Sequence, residues 1–451
     1  MTLDGVVERP TGDLDLSVSP SRRVGLYTLG CKVNQYETEK LAGEFRSAGF
    51  DVVPFSAKAD VYVVNSCTVT HTADGKSRQA VRSALNRNPS ALVVLTGCYA
   101  ETSAEEASRV DGVSLVLGNS DKPYLVARVS ELAGRPSSIG LGIRDDSGSF
   151  RHLVFPSSSL QRTRALIKVQ DGCDQFCAYC AVPMARPKML CKPFHEVVTE
   201  AEGLASLGHR EIVLTGIRLG RYESEGVGLT ELLVALTQVG GIERVRLSSI
   251  EVTDIPVGML ELMAANRKIC RHLHVPLQSG SNAVLKRMNR PYTAERFVEF
   301  AAKAWGLVPG IAITSDIIVG FPGETEQDFL ETGRLIEEIG FSRLHVFKFS
   351  PRRGTVAAEL KDDVLPADKS RRSAKLIELG VSGSRAFAEK LVGATVPVLV
   401  EAKKTADGRR SGLTDTYIRV FFEAGASEIG RIIGVQIEAA TDSFAHGRLC
   451  G

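Results

Sequence analysis

Short apolar runs alternate with longer segments of helical periodicity along most of this chain. The first three runs, RVGLYTLGC, ADVYVVNSC and ALVVLTGCY, are rich in β-branched residues, which is typical of buried strands. A polar–apolar pattern of helical period follows each run, as in YETEKLAGEFRSAGF. Repeated strand–helix units predict a doubly wound α/β domain with a parallel sheet over residues 23–135.

Each of these three runs ends near a cysteine: Cys31, Cys67 and Cys98. Ligands bind outside the carboxyl ends of the strands of an open parallel sheet. Three thiols on separate loops can therefore converge at that edge, although no local spacing pairs them. The competing interpretation of each cysteine is a small buried residue that caps its strand.

A second set of apolar runs alternates with helical segments in the middle of the chain. Six such runs predict a partial or complete (βα) barrel over residues 161–385. They occupy residues 165–170, 211–216, 244–250, 273–278, 312–320 and 343–350. The segment 136–160 is rich in Ser, Gly and Pro, which predicts a linker between the two domains.

Both ends of the chain differ from this pattern. Residues 386–451 contain short alternating strands with Gly-rich turns, which predict a small antiparallel β-barrel. Residues 1–22 are polar and predict a disordered tail. They contain no hydrophobic signal region, and no apolar run approaches the roughly 18 residues that span a bilayer. We therefore expect a cytoplasmic protein without a membrane partner.

Composition and charge leave the partner open. The 451 residues are 43% hydrophobic and 24% charged, with a net charge of +2 and a pI of about 8.0. This balance neither requires nor excludes nucleic acid, so any RNA site must be a local patch. The nine cysteines are an odd number in a large chain, which argues against a disulfide framework and favours metal binding or catalysis.

The strongest local signal is CDQFCAYC, which places Cys173, Cys177 and Cys180 on one loop after the first barrel strand. Thiolates are the usual ligands of iron–sulfur clusters, and three of them leave one iron of a [4Fe-4S] cluster open. An open iron is what S-adenosylmethionine (SAM) requires for chelation and reductive cleavage. The competing interpretation is a zinc loop that lacks its fourth ligand, but no second C-x2-C follows downstream.

Several segments, in one order, resemble the radical SAM methylthiotransferase family. They are TLGCKVNQYETE, NSCTVT, TGCYA, CDQFCAYC, EIVLTGIRLG, RLSSIE, HVPLQSGS, DIIVGFPGET and FSPRRGT. The resemblance extends from about Val24 to Leu449 and includes a C-terminal barrel similar to a TRAM domain. It implies a second [4Fe-4S] cluster on Cys31, Cys67 and Cys98. The opening GCKVNQYETE resembles the branch that acts on N6-threonylcarbamoyladenosine next to the tRNA anticodon.

The resemblance also implies a reaction and its partners. One SAM is cleaved to a radical that removes the hydrogen from C2 of the modified adenine, and a second SAM methylates the sulfur that is transferred. The implied partners are tRNA, an electron donor and a sulfur donor that the residues do not identify. The alternatives are methylthiolation of isopentenyladenosine in tRNA or of a ribosomal protein, and a non-catalytic iron–sulfur RNA-binding protein.

The residues expected to contact SAM lie at strand ends of the barrel, and no side chain is assigned a catalytic role. We expect Thr215 and Gly216 to meet the methionine amino group and Glu251 to accept from the ribose or the amino group. The remaining positions expected at this site are Gln278, Asp316 and Phe347. The alternatives are a surface salt bridge for Glu251, turn chemistry for GFPGET and a core position for Phe347.

Basic residues in the C-terminal barrel are candidates for RNA binding. Lys403, Lys404, Arg409 and Arg410 surround a predicted hairpin turn, where they can meet phosphates or remain solvated. The further basic candidates are Arg162, Arg164, Arg186, Lys188, Arg352 and Arg353. Pro187 and Cys191 depart from the pattern that relatives have after the cysteine loop, and we expect Cys191 not to be a ligand.

Overall fold

The computed structural model describes residues 22–68, 71–133 and 162–450. The predicted tail, apart from Arg22, and the predicted linker 136–160 lie outside these ranges. Within them, no helix is both long enough and apolar enough to cross a bilayer. All nine cysteines are free thiols, which agrees with the expectation of no disulfide framework.

The N-terminal domain is a parallel five-stranded sheet with helices on both faces. Its strands are β1 (Arg23–Thr28), β2 (Asp51–Val53), β3 (Val61–Ser66), β4 (Leu92–Gly97) and β5 (Leu115–Leu117). Its helices are α1 (Lys32–Ser47), α2 (His71–Arg87), α3 (Cys98–Thr102), α4 (Ala104–Ser108) and α5 (Leu125–Leu132). The strand order is β2-β1-β3-β4-β5, so the chain reverses its winding direction between β1 and β3.

Strand β3 shows why this domain is doubly wound. All six of its residues are buried, as expected for a central parallel strand. Val61 and Val63 pack in a core with α1 and α5, whereas Tyr62 and Val64 pack in a second core with α2. Side chains that alternate along β3 therefore pack in one core on each face of the sheet. The predicted architecture of this domain is confirmed.

The central domain contains the six predicted strands, with two short hairpins inserted between them. Its strands are β6 (Arg164–Lys168), β7 (Gln170–Asp171), β8 (Leu190–Cys191), β9 (Glu211–Thr215), β10 (Glu223–Ser224), β11 (Val227–Gly228), β12 (Arg244–Leu247), β13 (His272–His274), β14 (Ala312–Val319) and β15 (Arg343–Lys348). Its helices are α6 (Val182–Ala185), α7 (Phe194–Ser206), α8 (Leu229–Gln238), α9 (Met259–Ala265), α10 (Asn282–Arg287), α11 (Ala294–Leu307), α12 (Glu326–Ile339) and α13 (Pro366–Glu389).

The six main strands form an open, partial barrel. They lie in two parallel sheets, in the orders β12-β9-β6 and β13-β14-β15. Parallel bridges from Val245 to Ile269 and from Ser249 to His274 join the two sheets. The last helix, α13, packs against β15 and passes through the domain boundary that the sequence analysis places at 385/386.

The C-terminal domain is a closed five-stranded barrel. Its strands are β16 (Thr395–Lys404), β17 (Arg410–Thr414), β18 (Arg419–Phe422), β19 (Ile432–Ala440) and β20 (Ala445–Leu449). The segment GLTDTYIRVFFE (412–423) forms one run in the sequence, but the structure divides it into parts of β17 and β18 around a turn at residues 415–418. Four of the five strand pairings are antiparallel, and the parallel pairing of β18 with β20 closes the barrel.

Candidate functional site

The three cysteines Cys173, Cys177 and Cys180, here called the loop site, lie on the segment between β7 and α6. Each sulfur has a nitrogen donor within reach. The backbone N–H of Gln175 donates to Cys173 Sγ at 3.3 Å, and that of Val182 donates to Cys180 Sγ at 3.4 Å. Donors of this kind stabilise the negative charge of a metal-bound thiolate, so the sulfurs fit an iron–sulfur cluster.

A buried guanidinium, Arg290, completes the surroundings of the loop site. Its Nη1 donates to Cys177 Sγ at 3.2 Å, and the same side chain forms an ion pair with Glu251 and contacts the Tyr292 hydroxyl. Burial raises the pKa of Cys180 to about 12. The thiol is therefore protonated until a metal ion displaces its proton.

The cysteines Cys31, Cys67 and Cys98, here called the sheet-edge site, follow β1, β3 and β4 at the carboxyl edge of the parallel sheet. Cys31 and Cys67 flank the point where the winding direction reverses, and Cys98 follows the next strand. All three line one cavity. The convergence that strand order suggests is present in the structure, and the three thiols fit a cluster with one open iron.

Glycines directly before two of these cysteines make the convergence possible. Gly30 and Gly97 both have φ of +96°, a region that L side chains rarely adopt. A Cβ at Gly30 would lie 2.8 Å from Cys67 Sγ, and a Cβ at Gly97 would lie 2.4 Å from the Ser66 carbonyl oxygen. Only glycine therefore lets these two loops approach β3 closely enough.

A buried ionic cluster lies beside the sheet-edge site and joins the first two domains. The Glu37 carboxylate, on α1, accepts from Arg186 at 2.8 Å and from Lys168 at 2.7 Å, and it also pairs with Lys122. Asp171 accepts from Arg186 at 2.8 Å and from Lys168 at 2.6 Å. Burial alone would raise the pKa of Glu37, but these three cations hold it well below its ordinary value.

The charge of this cluster suits an anionic neighbour. It contains three cations and two carboxylates, which leaves one positive charge uncompensated by the cluster itself. Burial raises the pKa of Cys31, and the nearby Arg186 opposes that rise. A thiolate-ligated metal cluster would supply the missing negative charge.

The two cysteine sites are close in the fold. Helix α3, which begins at Cys98, packs against α6, which begins two residues after Cys180. The Asn119 side-chain amide donates to Cys98 Sγ at 3.6 Å and to the Ala185 carbonyl oxygen at 2.9 Å. One amide group thus ties a sheet-edge cysteine to the helix that follows the loop site.

A central cavity of about 1020 Å³ lies between all three domains. The sheet-edge cysteines, the inner faces of the barrel strands and part of the C-terminal barrel form its walls. Thr215, Gly216, Asp316 and Phe347, four of the six residues expected to contact SAM, line it. The sequence pattern therefore located much of this wall, and the roles of these residues in SAM binding stay predictions.

The side chain of Phe347 is 44% exposed, because it opens into the central cavity. This exposure excludes the alternative of a core position.

Glu251 and Gln278 do not line the cavity. The Glu251 carboxylate pairs with Arg290, and Gln278 is buried at φ +67° where its backbone pairs with β14. In the GFPGET turn, Thr325 caps α12 together with Asp328, so that part of the motif serves local structure.

Two histidines of the cavity wall were missed by the sequence reasoning. Asp316 Oδ2 lies 3.2 Å from His274 Nε2, and Asp316 Oδ1 lies 3.0 Å from His345 Nδ1. Burial alone would raise the pKa of Asp316, but both imidazoles hold it below its ordinary value. His345 stands two residues before Phe347 on β15, so a period-two pattern from Phe347 would have placed it inside the barrel.

The structure corrects several candidates for RNA binding. Arg410 is buried and donates to the carbonyl oxygens of Ala402 and Gly425, so its guanidinium is used inside the C-terminal barrel. Arg186 is buried in the ionic cluster described above, and Arg352 is buried against Asp74 at 2.8 Å. These corrections share one cause, because sequence alone does not distinguish a buried ion-paired arginine from an exposed one.

The remaining candidates in the C-terminal barrel differ from one another. Lys403 and Lys404 are exposed, and Lys403 lines the central cavity. Arg409 is partly exposed and paired with Asp407. Their contacts with RNA stay predictions. Cys191 contacts the hairpin around Glu223 instead of the loop site, which agrees with the expectation that it is not a ligand.

The C-terminal barrel is held against the cavity by buried arginines of β12. Arg246 donates to the carbonyl oxygens of Asp415 and Thr414, both at 2.9 Å, and pairs with Glu211 at 2.7 Å. Arg244 donates to the Leu413 carbonyl oxygen at 3.0 Å. This docking places the turn after β17 at the cavity wall.

Comparison with known families agrees with this architecture. Residues 23–118 match the uncharacterized protein family UPF0004, residues 167–336 match the radical SAM superfamily, and residues 389–450 match the TRAM domain. The match in the central domain implies that SAM and iron–sulfur clusters are the cofactors of this chain.

Among curated proteins, the chain is 40% identical to the threonylcarbamoyladenosine tRNA methylthiotransferase MtaB of Bacillus subtilis, with 94% of this chain and 96% of that protein covered. It is 37% identical to the MtaB of Thermotoga maritima, with coverage of 93% and 95%. It is also 34% identical to a tRNA-2-methylthio-N(6)-dimethylallyladenosine synthase of Syntrophomonas wolfei, with coverage of 93% and 96%.

Among solved structures, the radical SAM methyltransferase TsrM of Kitasatospora setae aligns with a TM-score of 0.53 at 16% identity. The alignment covers 75% of this chain and 74% of that chain, and it supports the fold alone. The identity and coverage of the curated relatives carry the assignment further. This chain belongs to the family of radical SAM tRNA methylthiotransferases.

Proposed function

We propose that this protein methylthiolates C2 of N6-threonylcarbamoyladenosine next to the anticodon of tRNA. The proposal includes two [4Fe-4S] clusters, one at the loop site and one at the sheet-edge site, and two molecules of SAM. The observation that carries it is the central cavity, whose wall joins the sheet-edge cysteines to the strand ends of the barrel. The loop-site cysteines are not part of this wall, but Val182, two residues after Cys180, lines it, so a base that enters the cavity lies beside both sites.

In this proposal the loop site holds the cluster that binds SAM. Cys173, Cys177 and Cys180 are its ligands, and Arg290 keeps positive charge beside Cys177. When bound, the clusters and SAM supply the electron, the hydrogen-abstracting radical and the methylated sulfur. The chain itself orients SAM through Thr215 and Gly216, which line the cavity.

The sheet-edge site holds the second cluster, with Cys31, Cys67 and Cys98 as ligands. These three cysteines line the central cavity, so they would hold the cluster at the wall that the substrate base reaches. The buried ionic cluster around Glu37 supplies compensating positive charge and joins this site to the barrel. The adenine must leave its stack to reach the cavity, and bases of an anticodon loop are already partly unstacked.

The choice of nucleoside rests on two kinds of support. The relatives with the higher identity are named for threonylcarbamoyladenosine, and those at 34% are named for dimethylallyladenosine. The cavity is lined by seven Lys and Arg side chains, and three of them, Lys32, Arg343 and Lys403, form no ion pair with a described carboxylate. An acidic N6 substituent suits that charge better than an apolar dimethylallyl group.

The test is mass spectrometry of nucleosides from tRNA of cells in which the gene is deleted. We expect the 2-methylthio form to disappear and N6-threonylcarbamoyladenosine to accumulate. The wild-type gene should restore the product, whereas Cys177→Ala should not. Loss of the 2-methylthio form of dimethylallyladenosine instead would reassign the nucleoside. An unchanged tRNA profile would contradict tRNA as the substrate and direct the search to ribosomal proteins.

A further inference from the structure

Positive charge is concentrated in the central cavity far beyond the average of the chain. The whole chain has 55 Lys and Arg residues against 53 Asp and Glu residues. The cavity wall contains seven cationic side chains and two carboxylates, Asp316 and Glu401. Four of the cations are ion-paired: Arg162 with Glu39, Arg164 with Glu401, Arg186 with Glu37 and Arg246 with Glu211. The other three cations, Lys32, Arg343 and Lys403, leave a positive excess inside a concave site, which attracts an anionic ligand.

Lys32 is one of the three cations of this wall that form no ion pair with a carboxylate among the described residues. It directly follows Cys31 and begins α1, and it is only partly exposed because it lines the cavity. Of the three, Lys32 is the one that adjoins a sheet-edge cysteine, and both residues line the cavity.

Tyr417 enters the cavity from the C-terminal barrel in an uncommon backbone conformation. Its φ is +69°, which is rare and strained for a bulky residue and is typical of functional positions. The ring stacks on His272, with centroids 4.8 Å apart and an interplanar angle of 19°. The docking by Arg246 holds this turn in place.

The hydroxyl of Tyr417 is surrounded by cations. The Arg164 guanidinium lies 5.8 Å from the ring centroid and also pairs with Glu401 at 3.7 Å, and the Arg246 guanidinium lies 5.1 Å from the same centroid. A phenolic O–H beside these cations can donate to an anionic acceptor. Burial alone would raise the pKa of Tyr417, but Arg164, Lys32 and Arg246 bring it below its ordinary value. The pKa shift reports how strongly positive this part of the cavity is.

We propose that Lys32, Arg164 and Tyr417 form an anion subsite that binds the carboxylate of the threonyl group on the N6 nitrogen of the substrate. This inference rests on the function proposed above and names the residues that select the nucleoside. Lys32 and Arg164 supply charge, and the Tyr417 O–H supplies a directed donor. A dimethylallyl group offers no acceptor, so it would leave these three groups desolvated and unpaired.

The test measures binding of RNA by the reconstituted holoenzyme, using fluorescence anisotropy. One anticodon stem-loop carries N6-threonylcarbamoyladenosine, and a second carries the same group with its carboxylate converted to a carboxamide. We expect wild-type enzyme to bind the carboxylate RNA about tenfold to a hundredfold more tightly, as for a charge-assisted hydrogen bond. Lys32→Gln and Tyr417→Phe should each reduce that ratio, and Tyr417→Phe retains the ring that stacks on His272.

The matched control is Lys375→Gln. Lys375 lies on α13, is exposed and pairs with Glu378, so its loss should leave the ratio unchanged. Equal binding of the two RNAs by wild-type enzyme would overturn the subsite. Equal weakening of both RNAs by Lys32→Gln would also overturn it and would indicate an RNA phosphate as the ligand.

SAM provides a further anion, and its carboxylate is tested separately. A weaker SAM affinity in Lys32→Gln, with unchanged RNA discrimination, would assign the subsite to SAM and overturn the proposal. Product formation by wild-type enzyme is measured in parallel. If wild-type enzyme discriminates between the two RNAs but forms no 2-methylthio product, the proposed function fails while the subsite stands.

Discussion

The loop site and the sheet-edge site contain the same three thiols but are built in opposite ways. The loop site takes Cys173, Cys177 and Cys180 from eight consecutive residues, and backbone N–H groups of the same loop contact two of the sulfurs. The sheet-edge site takes one cysteine from each of three separate loops, and its geometry depends on strand order and on Gly30 and Gly97. One site is therefore local in sequence, and the other exists only in the folded domain.

Each site also has its own buried guanidinium. Arg290 donates directly to Cys177 Sγ, whereas Arg186 is bound to Glu37 and Asp171 and affects Cys31 only through its charge. The guanidinium of the loop site therefore contacts a cysteine directly. The sheet-edge site shares its cation with the contact between two domains, so we expect it to be more sensitive to distant changes.

The largest expected effect separates the chemistry of the two sites. Cys177→Ser should abolish release of 5′-deoxyadenosine from SAM, because the loop site would lose a cluster ligand. Cys67→Ser should retain that release and abolish methylthio transfer. Each variant should contain about half of the wild-type iron. Chromatography of the nucleosides and an iron assay measure both results, and loss of SAM cleavage in Cys67→Ser would contradict the division of roles.

The next effect tests the dependence of the sheet-edge site on distant contacts. Glu37→Gln removes the carboxylate shared by Arg186, Lys122 and Lys168 and leaves buried charge uncompensated. Breaking a buried ion pair costs about 3–5 kcal/mol, so we expect a clearly lower urea midpoint for the N-terminal domain. The matched control on the same helix is Glu44→Gln, which breaks only an i,i+4 pair with Lys40 and should cost less than about 1 kcal/mol.

The iron content of Glu37→Gln sharpens this result. We expect the variant to lose iron from the sheet-edge site first, so that SAM cleavage persists when methylthio transfer has declined. Equal loss of both activities, or a urea midpoint like that of Glu44→Gln, would show that the ionic cluster does not support this site selectively.

The smallest expected effect concerns the backbone. Gly97→Ala places a Cβ at φ +96° and 2.4 Å from the Ser66 carbonyl oxygen. Strained backbone of this kind costs of order 1–3 kcal/mol, and the clash should displace Cys98 from the sheet-edge site. Gly240→Ala is the control, since its Cβ would meet nothing within 4 Å. Urea unfolding and iron content check both variants, and a Gly97→Ala protein with wild-type iron would contradict the role given to this glycine.

The order of elements followed closely from the sequence. Strong periodicity located the six barrel strands and the strands that precede the sheet-edge cysteines, since buried parallel strands are continuous apolar runs. The short strands β2 and β5 and the division between β17 and β18 were missed. Segments of three to five residues carry too little pattern, and the division depends on Tyr417, a residue that does not normally favour a left-handed turn.

The sequence itself determined which cysteines are candidates for the two sites, because their spacing and their places after apolar runs follow from the order of residues. Tertiary structure decided which charged side chains face the central cavity. Residue type does not distinguish Arg186, Arg352 and Arg410 from surface arginines, yet each is buried against carboxylates or carbonyl oxygens. Lys32, Arg164 and Tyr417 are brought together from three domains. Charge is a property of one residue, but burial and partners depend on contacts between residues far apart in the chain, and only the fold specifies those.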